Sequence, residues 1–388
     1  MTKKIINMLV TLSLLPMVAT VQANEPTDTA SRQLFEIQNT CIIRFDDGIS
    51  KFDVEGRARG MVASVNAKAK HIYKHSIKGF AVNMNCDKAK AAFALHPDIV
   101  SFESDALVFA LPGPPPGRGG GGDSDTVEEQ ITPWGIDRVG GAADTEADGT
   151  PYTAKAWVLD TGIDLDNADL NVDTLNCMSV FTSRKDSSCD DGQGHGTHVA
   201  GTIAAINNEI GVVGVAAGAT VVPIKVLDRR GSGSISGVIM GVDYVADNAA
   251  SGDCANLSLG GSKSDSLNEA VGALGAKGVF VSVAAGNESQ NTENVSPASA
   301  EGENVWTIAA IDNTDKIASF SNYGSHVDYS APGVGILSLQ VGGGTTTKNG
   351  TSMAAPHACA VLMLTKGDPN NDGDNVGSWS YPIIHLWQ

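Results

Sequence analysis

Short runs of apolar, mainly β-branched residues constrain the fold of this chain more than any other feature. They fall at 156–159, 221–226 and 278–283. Because their apolar residues are consecutive rather than alternating, each run suits a strand that is buried on both faces. Helix-like stretches such as 236–249 lie between the runs, and this alternation is typical of a parallel sheet with helices on both faces. We therefore predict an α/β fold for this part of the chain.

A segment rich in proline and glycine, 111–125, separates this part from a smaller N-terminal one. It has no periodic apolar pattern, so we interpret it as a linker. Before it, a strand-like run at 41–45 and a helix-like run at 87–95 predict a small α+β module. We place the module, the linker and the larger domain at 24–111, 112–129 and 130–388.

Residues 1–23 have the pattern of a secretory signal peptide. Lys3 and Lys4 precede an apolar run at 5–21, and the last three residues, Val-Gln-Ala, have the form of a cleavage site. The alternative is a membrane anchor, but the run is short and Pro16 interrupts it. We expect a secreted protein, extracellular or periplasmic, that has no membrane contact after signal removal.

Secretion makes the six cysteines candidates for disulfides. The N-terminal part holds two and the larger part four, so no pairing between the parts is required: Cys41, Cys86, Cys177, Cys189, Cys254 and Cys359. The spacing favours a local Cys177–Cys189 loop. It leaves Cys254 and Cys359 either paired or as two buried thiols.

The charge of the chain disfavours some partners. The formal net charge is −18 and the pI about 4.7, so nucleic acid and anionic membranes are poor partners. Residues 1–111 carry 13 basic and 11 acidic residues, and residues 112–388 carry 13 and 33, giving net charges of +2 and −20. We expect the first part to be attracted to the second.

Two motifs place an acid and an imidazole where an active site would lie. Asp160 ends the first predicted strand, and α/β sheets carry their sites at the carboxyl ends of strands. His195 and His198 lie in a glycine-rich segment that opens a helix-like run. The two imidazoles could bind a metal, but no carboxylate stands at the spacing of zinc peptidases. A general base at the helix start, with glycines that let a substrate backbone approach, fits better.

A third motif, at 349–357, supplies a nucleophile. Ser352 follows Gly350 and Thr351 and opens an apolar helix. At a helix N-terminus, unpaired N–H groups and the helix dipole stabilise an oxyanion on the attacked carbonyl. Taken alone, this serine is better explained as an ordinary helix cap, but the three motifs together are far more specific.

Together the motifs resemble the subtilisin-like serine proteases, in the chain order Asp, His, Ser for which subtilisin is the reference. The resemblance implies that Ser352 is the nucleophile, that His195 is the general base and that Asp160 orients the imidazole. His198 is then a structural residue. Asn287, which follows a predicted strand, matches the residue whose side chain donates to the oxyanion.

The resemblance also implies how an extended polypeptide substrate binds. Two edges would pair with its backbone: Gly231, Ser232 and Gly233 on one side, and Ser258, Leu259, Gly260 and Gly261 on the other. The first edge could be taken for a phosphate loop, but the Lys-Ser/Thr of that motif is missing. The specificity pocket would have walls at 258–261 and 284–287, and a floor at 294–299 as in the proteinase K branch. With Glu288 at its rim, we expect a broad preference for apolar residues before the scissile bond.

A structural, non-catalytic Ca²⁺ ion is implied by the same resemblance. All the ligands would be oxygen atoms, as a hard cation requires: side chains of Gln130, Asp169 and Asn208, and carbonyls of Ile206, Ile210 and Val212. The alternative is a polar surface turn. A second candidate, 368–374, opens like an EF-hand loop, but Trp379 stands where that motif needs Glu.

The N-terminal module resembles the inhibitory prodomain of the family through 79–82 and 96–105. This implies a ferredoxin-like fold, a module that occupies the active cleft as an intramolecular inhibitor, and a first cleavage near residue 111. The mature start would lie between there and 130. We expect a monomeric, autoprocessed zymogen.

The C-terminal end departs from the family pattern. After His357 the family reads Val-Ala-Gly, whereas this chain reads Ala-Cys-Ala, and residues 366–388 lack the expected amphipathic closing helix. A non-catalytic inhibitor or binding protein therefore stays open as an alternative to the protease. An ester hydrolase would share the triad, but the two backbone-pairing edges favour peptides.

Overall fold

The computed structural model describes residues 29–111, 113, 129–144 and 150–386. The predicted signal peptide and most of the predicted linker lie outside these residues. Among the helices of the described ranges, none has the length and apolarity that a bilayer crossing requires.

The N-terminal module follows a βαββαβ order, as in ferredoxin-like folds, after one additional helix. Its elements are α1 (Thr29–Gln38), β1 (Cys41–Phe45), α2 (Lys51–Ser64), β2 (Ala69–Tyr73), β3 (Gly79–Val82), α3 (Cys86–Phe93), β4 (Ile99–Ser104) and β5 (Leu107–Ala110). Four strands form an antiparallel sheet in the order β2-β3-β1-β4. Its core includes Ile43, Phe45 and Phe80.

The larger domain alternates strands and helices around one long sheet. Its elements are α4 (Trp134–Arg138), β6 (Lys155–Asp160), β7 (Asn171–Val172), β8 (Met178–Ser179), α5 (His195–Ala204), β9 (Thr220–Lys225), β10 (Ser232–Ser234), α6 (Ile235–Asn248), β11 (Cys254–Leu257), β12 (Leu259–Ser262), α7 (Asp265–Gly275), β13 (Phe280–Ala284), a 3₁₀ turn (Thr292–Asn294), β14 (Val295–Ser296), β15 (Val305–Ile311), β16 (Val327–Pro332), β17 (Ile336–Leu339), β18 (Thr345–Lys348), α8 (Thr351–Leu364), β19 (Asn370–Val376) and β20 (Tyr381–His385).

The long sheet has the order β19-β20-β16-β15-β13-β11-β6-β9-β7, with β8 also paired to β9. From β16 to β9 every pairing is parallel. Residues of α5 and α8 pack in the core on one face, and residues of α6 and α7 in the core on the other. The three predicted strands are β6, β9 and β13, and they are buried as expected.

The end of the chain completes the sheet with a hairpin rather than a helix. After α8 ends at Leu364, β19 and β20 pair antiparallel, and β20 joins β16. The candidate EF-hand loop at 368–374 is thus mostly strand, which does not suit a ligand loop. In the described part of the chain, no cluster of three or more His, Cys, Asp or Glu side chains is arranged to hold a metal.

All six cysteines form disulfides. Cys41–Cys86 joins β1 to α3, and Cys177–Cys189 closes the predicted local loop. The third bond joins Cys254, at the start of β11, to Cys359 in α8. The free-thiol alternative for that pair is therefore wrong, and a covalent link ties α8 to the sheet.

Candidate active site

Asp160 and His195 meet at the carboxyl end of the parallel sheet. Asp160 is the last residue of β6 and His195 the first of α5. The imidazole Nδ1 lies 2.9 Å from both carboxylate oxygens, and both side chains are buried. Because an ionised aspartate can only accept, Nδ1 carries the hydrogen, and the neutral form of the ring has its lone pair on Nε2. That is the tautomer a general base needs.

Asp191 fixes the start of α5, a role that the three sequence motifs did not predict. Its buried carboxylate accepts from the backbone N–H groups of Gln193 (2.9 Å), Gly194 (2.8 Å) and Thr197 (3.0 Å). It also accepts from the hydroxyls of Thr197 (2.7 Å) and Thr161 (2.9 Å), and so ties the helix to the residue after Asp160. An Asp a few residues before a helical run is a capping signal that could have identified it.

The glycine after His195 serves a different purpose from the one predicted. A Cβ on Gly196 would overlap the carbonyl oxygen of Gly162 and would lie 3.2 Å from the Cβ of Asp160. The missing side chain lets α5 approach the turn after β6, rather than admitting a substrate backbone. The close approach brings the imidazole to the carboxylate.

Ser352 is the second residue of α8 and is fully buried. Its Oγ donates to the carbonyl of Ser258 at 3.0 Å, and Ser258 Oγ donates back to the carbonyl of Ser352 at 2.8 Å. Nε2 of His195 has no hydrogen-bond partner in the described part of the chain. The predicted nucleophile and base are therefore not hydrogen-bonded to each other here, and attack would require the hydroxyl to turn from Ser258 towards His195.

Asn287 is held in one orientation beside Ser352. Its Oδ1 accepts from both the backbone N–H and the hydroxyl of Thr351, each at 2.9 Å. This leaves Nδ2 as a donor, and it lies 2.6 Å from the carbonyl oxygen of Leu111. The predicted oxyanion donor thus faces a peptide carbonyl.

That carbonyl belongs to the chain's own N-terminal module, whose last strand lies in the cleft. β5 pairs antiparallel with β10 on one side and with β12 on the other. Phe109 lies opposite Ser232 and Gly260, and the N–H of Ala110 donates to the carbonyl of Gly231 at 2.9 Å. The predicted edges pair with extended backbone except at Ser258, which bonds to Ser352 and precedes β12.

The side chain of Leu111 packs at the predicted specificity pocket, where a cavity of about 390 Å³ remains. The cavity is lined by both predicted walls and the predicted floor, including Gly260, Ala284, Val295 and Ala298. A Cβ on Gly260 would lie 3.2 Å from Leu111 Cδ1, so glycine there keeps the pocket wide. Glu288 is exposed, and its Oε2 accepts from Asn322 Nδ2 at 2.8 Å, which holds the carboxylate at the rim.

The six predicted calcium ligands also come together. The side-chain Nε2 of Gln130 lies within 3.2 Å of four oxygen atoms, those of Ile206 (2.7 Å), Asn208, Ile210 and Val212. An amide nitrogen has two hydrogens and cannot satisfy four acceptors. If the amide is rotated, its Oε1 gives up the bond from the N–H of Asn208 (3.1 Å) and joins the other four oxygens, a set of acceptors that fits a cation.

Asp169 provides the negative charge of this cluster. Its carboxylate is buried and accepts from Asn208 Nδ2 at 2.8 Å. Burial raises the pKa of Asp169, although hydrogen bonds from Asn208 and from the N–H of Val212 act in the opposite direction. The donor set of one carboxylate, two amides and three carbonyls fits a hard divalent cation.

A buried carboxylate–imidazole pair, a serine at a helix N-terminus and an amide beside a peptide carbonyl are the groups that acyl transfer to serine needs. The fold and the site thus define a serine hydrolase. The chain belongs to the subtilase family, whose family model matches residues 156–380. It is a serine endopeptidase of the subtilisin type.

Known relatives support this assignment along most of the chain. The chain is 36% identical over 341 residues to subtilisin-like serine protease AsES of Sarocladium strictum, covering 85% of this chain and 80% of that protein. It is 32% identical over 361 residues to proteinase R of Parengyodontium album, covering 90% and 85%. The crystal structure of a cold-adapted subtilisin-like serine proteinase matches with a TM-score of 0.53 and 33% identity, covering 67% of this chain and 98% of that one. The predicted α/β subtilisin-like fold and proteinase K-like relationship are confirmed.

Proposed function

We propose that this endopeptidase works through an acyl-enzyme on Ser352. His195 Nε2 takes the hydroxyl proton as Oγ attacks the carbonyl carbon, and Asp160 stabilises the imidazolium. Asn287 donates to the oxygen as it becomes an oxyanion. The imidazolium then protonates the leaving nitrogen, the C–N bond breaks, and water repeats the sequence to release the acid. The observation that carries this proposal is the 2.6 Å hydrogen bond from Asn287 Nδ2 to the Leu111 carbonyl.

Residues 24–111, in this proposal, are an inhibitory prodomain of a zymogen. Support comes from β5, which fills the cleft between the two substrate edges in an extended conformation. Main-chain pairing carries little side-chain information, so the same edges would accept many peptide sequences. The physiological counterpart of β5 is then an extended polypeptide substrate.

Hydrogen bonds between the module and the larger domain, formed by carboxylates at two helix N-termini and at one turn, support the docking of this prodomain. Asp105 accepts from the N–H (2.9 Å) and Oγ (2.6 Å) of Ser236, at the start of α6. Glu103 accepts from the N–H (2.9 Å) and Oγ (2.7 Å) of Ser266, in the first turn of α7. Conversely, Asp243 of the larger domain, in α6, accepts hydrogen bonds from the three successive backbone N–H groups of residues 74–76. Such charge-assisted bonds are stronger than neutral ones.

A Ca²⁺ ion bound by Gln130, Asp169, Asn208 and the three carbonyls would be structural. The convergent oxygen atoms support it, and their role would be to fix the loop at 206–212 against the N-terminal end of the mature domain. The ion would neutralise Asp169 and supply no step of the acyl transfer.

We also propose that the mature enzyme is a secreted monomer. The signal-like pattern at 1–23 and the three disulfides support an oxidising compartment. For the primary pocket we propose a broad preference for medium or large apolar residues. Leu111 packs there, space remains beside it, and Asn322 holds the one acid of its described lining, Glu288.

Casein hydrolysis by the purified, processed protein tests the function, with and without a serine-directed phosphonylating inhibitor. We expect hydrolysis that the inhibitor abolishes, absent in Ser352→Ala and retained in the control Ser187→Ala, an exposed serine in the 181–188 segment. Ester hydrolysis without casein hydrolysis would instead favour an esterase. Tight binding of proteases without any hydrolysis would favour the non-catalytic inhibitor, an alternative that no comparison supports.

A further inference from the structure

The peptide bond that follows Leu111 lies at the proposed catalytic serine and has an unusual residue on its leaving side. The carbonyl of Leu111 receives the hydrogen bond of the oxyanion donor Asn287. Two residues later, the N–H of Gly113 donates to the carbonyl of Asn349 at 2.8 Å, three positions before Ser352. The chain is thus held on both sides of the bond that follows Leu111, and the next residue in the sequence is Pro112.

The leaving nitrogen of such a bond differs chemically from that of any other residue. A prolyl nitrogen carries a ring methylene in place of hydrogen, and its ring fixes φ near −65°. To leave, the nitrogen must become pyramidal with its lone pair towards the imidazole of His195, and a ring methylene then takes the position that hydrogen has in any other residue. A proline also restricts the residue before it to extended conformations, which is what the cleft binds. The bond is therefore suited to binding and unsuited to cleavage.

Backbone atoms of the loop at 349–350 lie close to Leu111 and Gly113. A Cβ on Gly350 would lie 2.7 Å from the Leu111 carbonyl oxygen and 3.1 Å from the Gly113 nitrogen. A Cβ on Gly113 would lie 2.8 Å from both the carbonyl carbon and the oxygen of Asn349. Backbone of the nucleophile's own loop therefore packs directly against the residues before and after position 112.

A small shift of register would not bring an ordinary bond to the serine. Positions 114, 115 and 116 are also proline, so four of the five bonds from 111–112 to 115–116 precede a proline. The exception is the bond between Pro112 and Gly113, which would place a proline in the pocket that Leu111 occupies.

Resting on the proposed function, we infer that Pro112 determines where this protease cuts itself: the Leu111–Pro112 bond is bound but not hydrolysed, and the first cut falls at another bond. The prediction of a first cleavage near residue 111, with a mature start between there and 130, is thereby narrowed to bonds other than the one after Leu111. At the bond that is cut, Ser352 Oγ attacks the carbonyl carbon and becomes acylated, and the amine leaves with the proton from His195. Water then hydrolyses the ester and releases the acid. A prodomain that still carries Gly113 keeps its hydrogen bond to Asn349 and remains an uncleaved occupant of the cleft.

The test compares the full-length precursor with Pro112→Ala and with the matched control Pro114→Ala, following N-terminal sequences and peptidase activity with time. We expect a new N-terminus that begins at position 112 in the first variant alone, with processing at least about tenfold faster. Pro112 as the mature N-terminus of the unaltered chain would overturn the inference, as would a Pro112→Ala chain that is never cut after Leu111. Neither result affects the proposed function if the processed chain hydrolyses casein; no processing and no hydrolysis in any chain would reject both.

A peptide experiment removes any dependence on folding of the variants. The processed enzyme is given a heptapeptide of sequence 107–113 and its Pro112→Ala counterpart. We expect hydrolysis of the alanine peptide after its Leu, at least about 100-fold slower hydrolysis of the proline peptide, and competitive inhibition by the latter. Similar kcat/KM for the two peptides would contradict the inference.

Discussion

The two sides of the bond at Ser352 are held very differently. On the acyl side, β5 pairs with two strands and Leu111 packs at a pocket. On the leaving side, the N–H of Gly113 donates to the carbonyl of Asn349, in the loop that leads to Ser352. Strand pairing and a side-chain pocket can bind a segment whether or not its bond breaks, so binding and cleavage can be separated by changing a residue on the leaving side.

The same contrast explains how an intact segment can inhibit. Acyl-side contacts give affinity whether or not the bond breaks, because they are the same in the bound segment and in the acyl-enzyme. Turnover depends instead on the leaving nitrogen and on the hydroxyl of Ser352, which here donates to Ser258. Uniform binding of this kind raises affinity without raising kcat.

The largest expected effect comes from removing the nucleophile while keeping the acyl side intact. Ser352→Ala should lower kcat by about 10⁶-fold, the scale known for subtilisin itself, and should leave the prodomain uncut and bound. Casein hydrolysis and gel analysis of the precursor measure both. A mature-sized product from this variant made alone would show that maturation is not intramolecular.

Weakening the oxyanion contact should affect turnover more than binding. Asn287→Ala removes one donor to the developing oxyanion and should lower kcat by about 10²–10³-fold with little change in KM. Asn287→Asp is the matched comparison, since it keeps the acceptor for Thr351 but replaces the donor with a negative charge, and should be at least as slow. A raised KM with unchanged kcat would assign Asn287 to substrate binding instead.

Removal of the proposed calcium ion should lower thermal stability and leave the chemistry unchanged. At 100 times its Kd, an ion that binds only the folded state stabilises it by about 2.7 kcal/mol, or roughly 100-fold. We expect a chelator to lower the Tm by about 5–10 °C without loss of initial activity. In Asp169→Asn the chelator should have a much smaller effect. Immediate loss of activity on adding chelator would indicate a catalytic metal. Equal rates of thermal inactivation with and without chelator would rule out the calcium assignment.

A smaller effect is expected from pH on prodomain docking. His71 lines a cavity between the module and the larger domain that Asp186 and Asp228 also line, and burial, with the charge of Lys70, lowers its pKa from 6.5 to about 3. Because the released group binds a proton more readily than the buried one, docking is strongest above pH 6.5 and weakens as the pH falls towards 3. If this burial is lost on release, affinity drops by up to about 30-fold at pH 5.

Inhibition of the processed enzyme by added prodomain measures this pH dependence. His71→Gln should flatten the step between pH 7 and 5, whereas His96→Gln, at a residue of the module outside the lining of this cavity, should keep it. An unchanged pH step in His71→Gln would show that other groups cause the pH dependence, such as His75, whose Nδ1 lies 2.9 Å from Asp247.

The fold and the reacting groups could be predicted because each motif is local in sequence. A buried run followed by Asp160 predicts a strand end, and Ser352 before an apolar run predicts a helix start. Their meeting follows from the rule that sites lie at the carboxyl ends of parallel strands. Even the missed Asp191 carries a local capping signal.

The docking contacts and the last hairpin had no such local signal. Net charge predicted attraction of a basic module to an acidic domain, yet Glu103 and Asp105 are acids of the module that cap helices of the acidic domain. Hydrogen-bond geometry at helix ends, which composition does not report, decides these contacts. Similarly, Asn370–Val376 is polar and resembles a loop, but main-chain pairing at a sheet edge makes it a strand.

The most direct test of the account is labelling of Ser352 by a fluorophosphonate, located by mass spectrometry, in the precursor and in the processed protein. We expect one adduct, on Ser352, in the processed chain, and almost none in the precursor, where the carbonyl of Leu111 accepts the hydrogen bond of Asn287. Equal labelling of the precursor, or an adduct on a different serine, would contradict it.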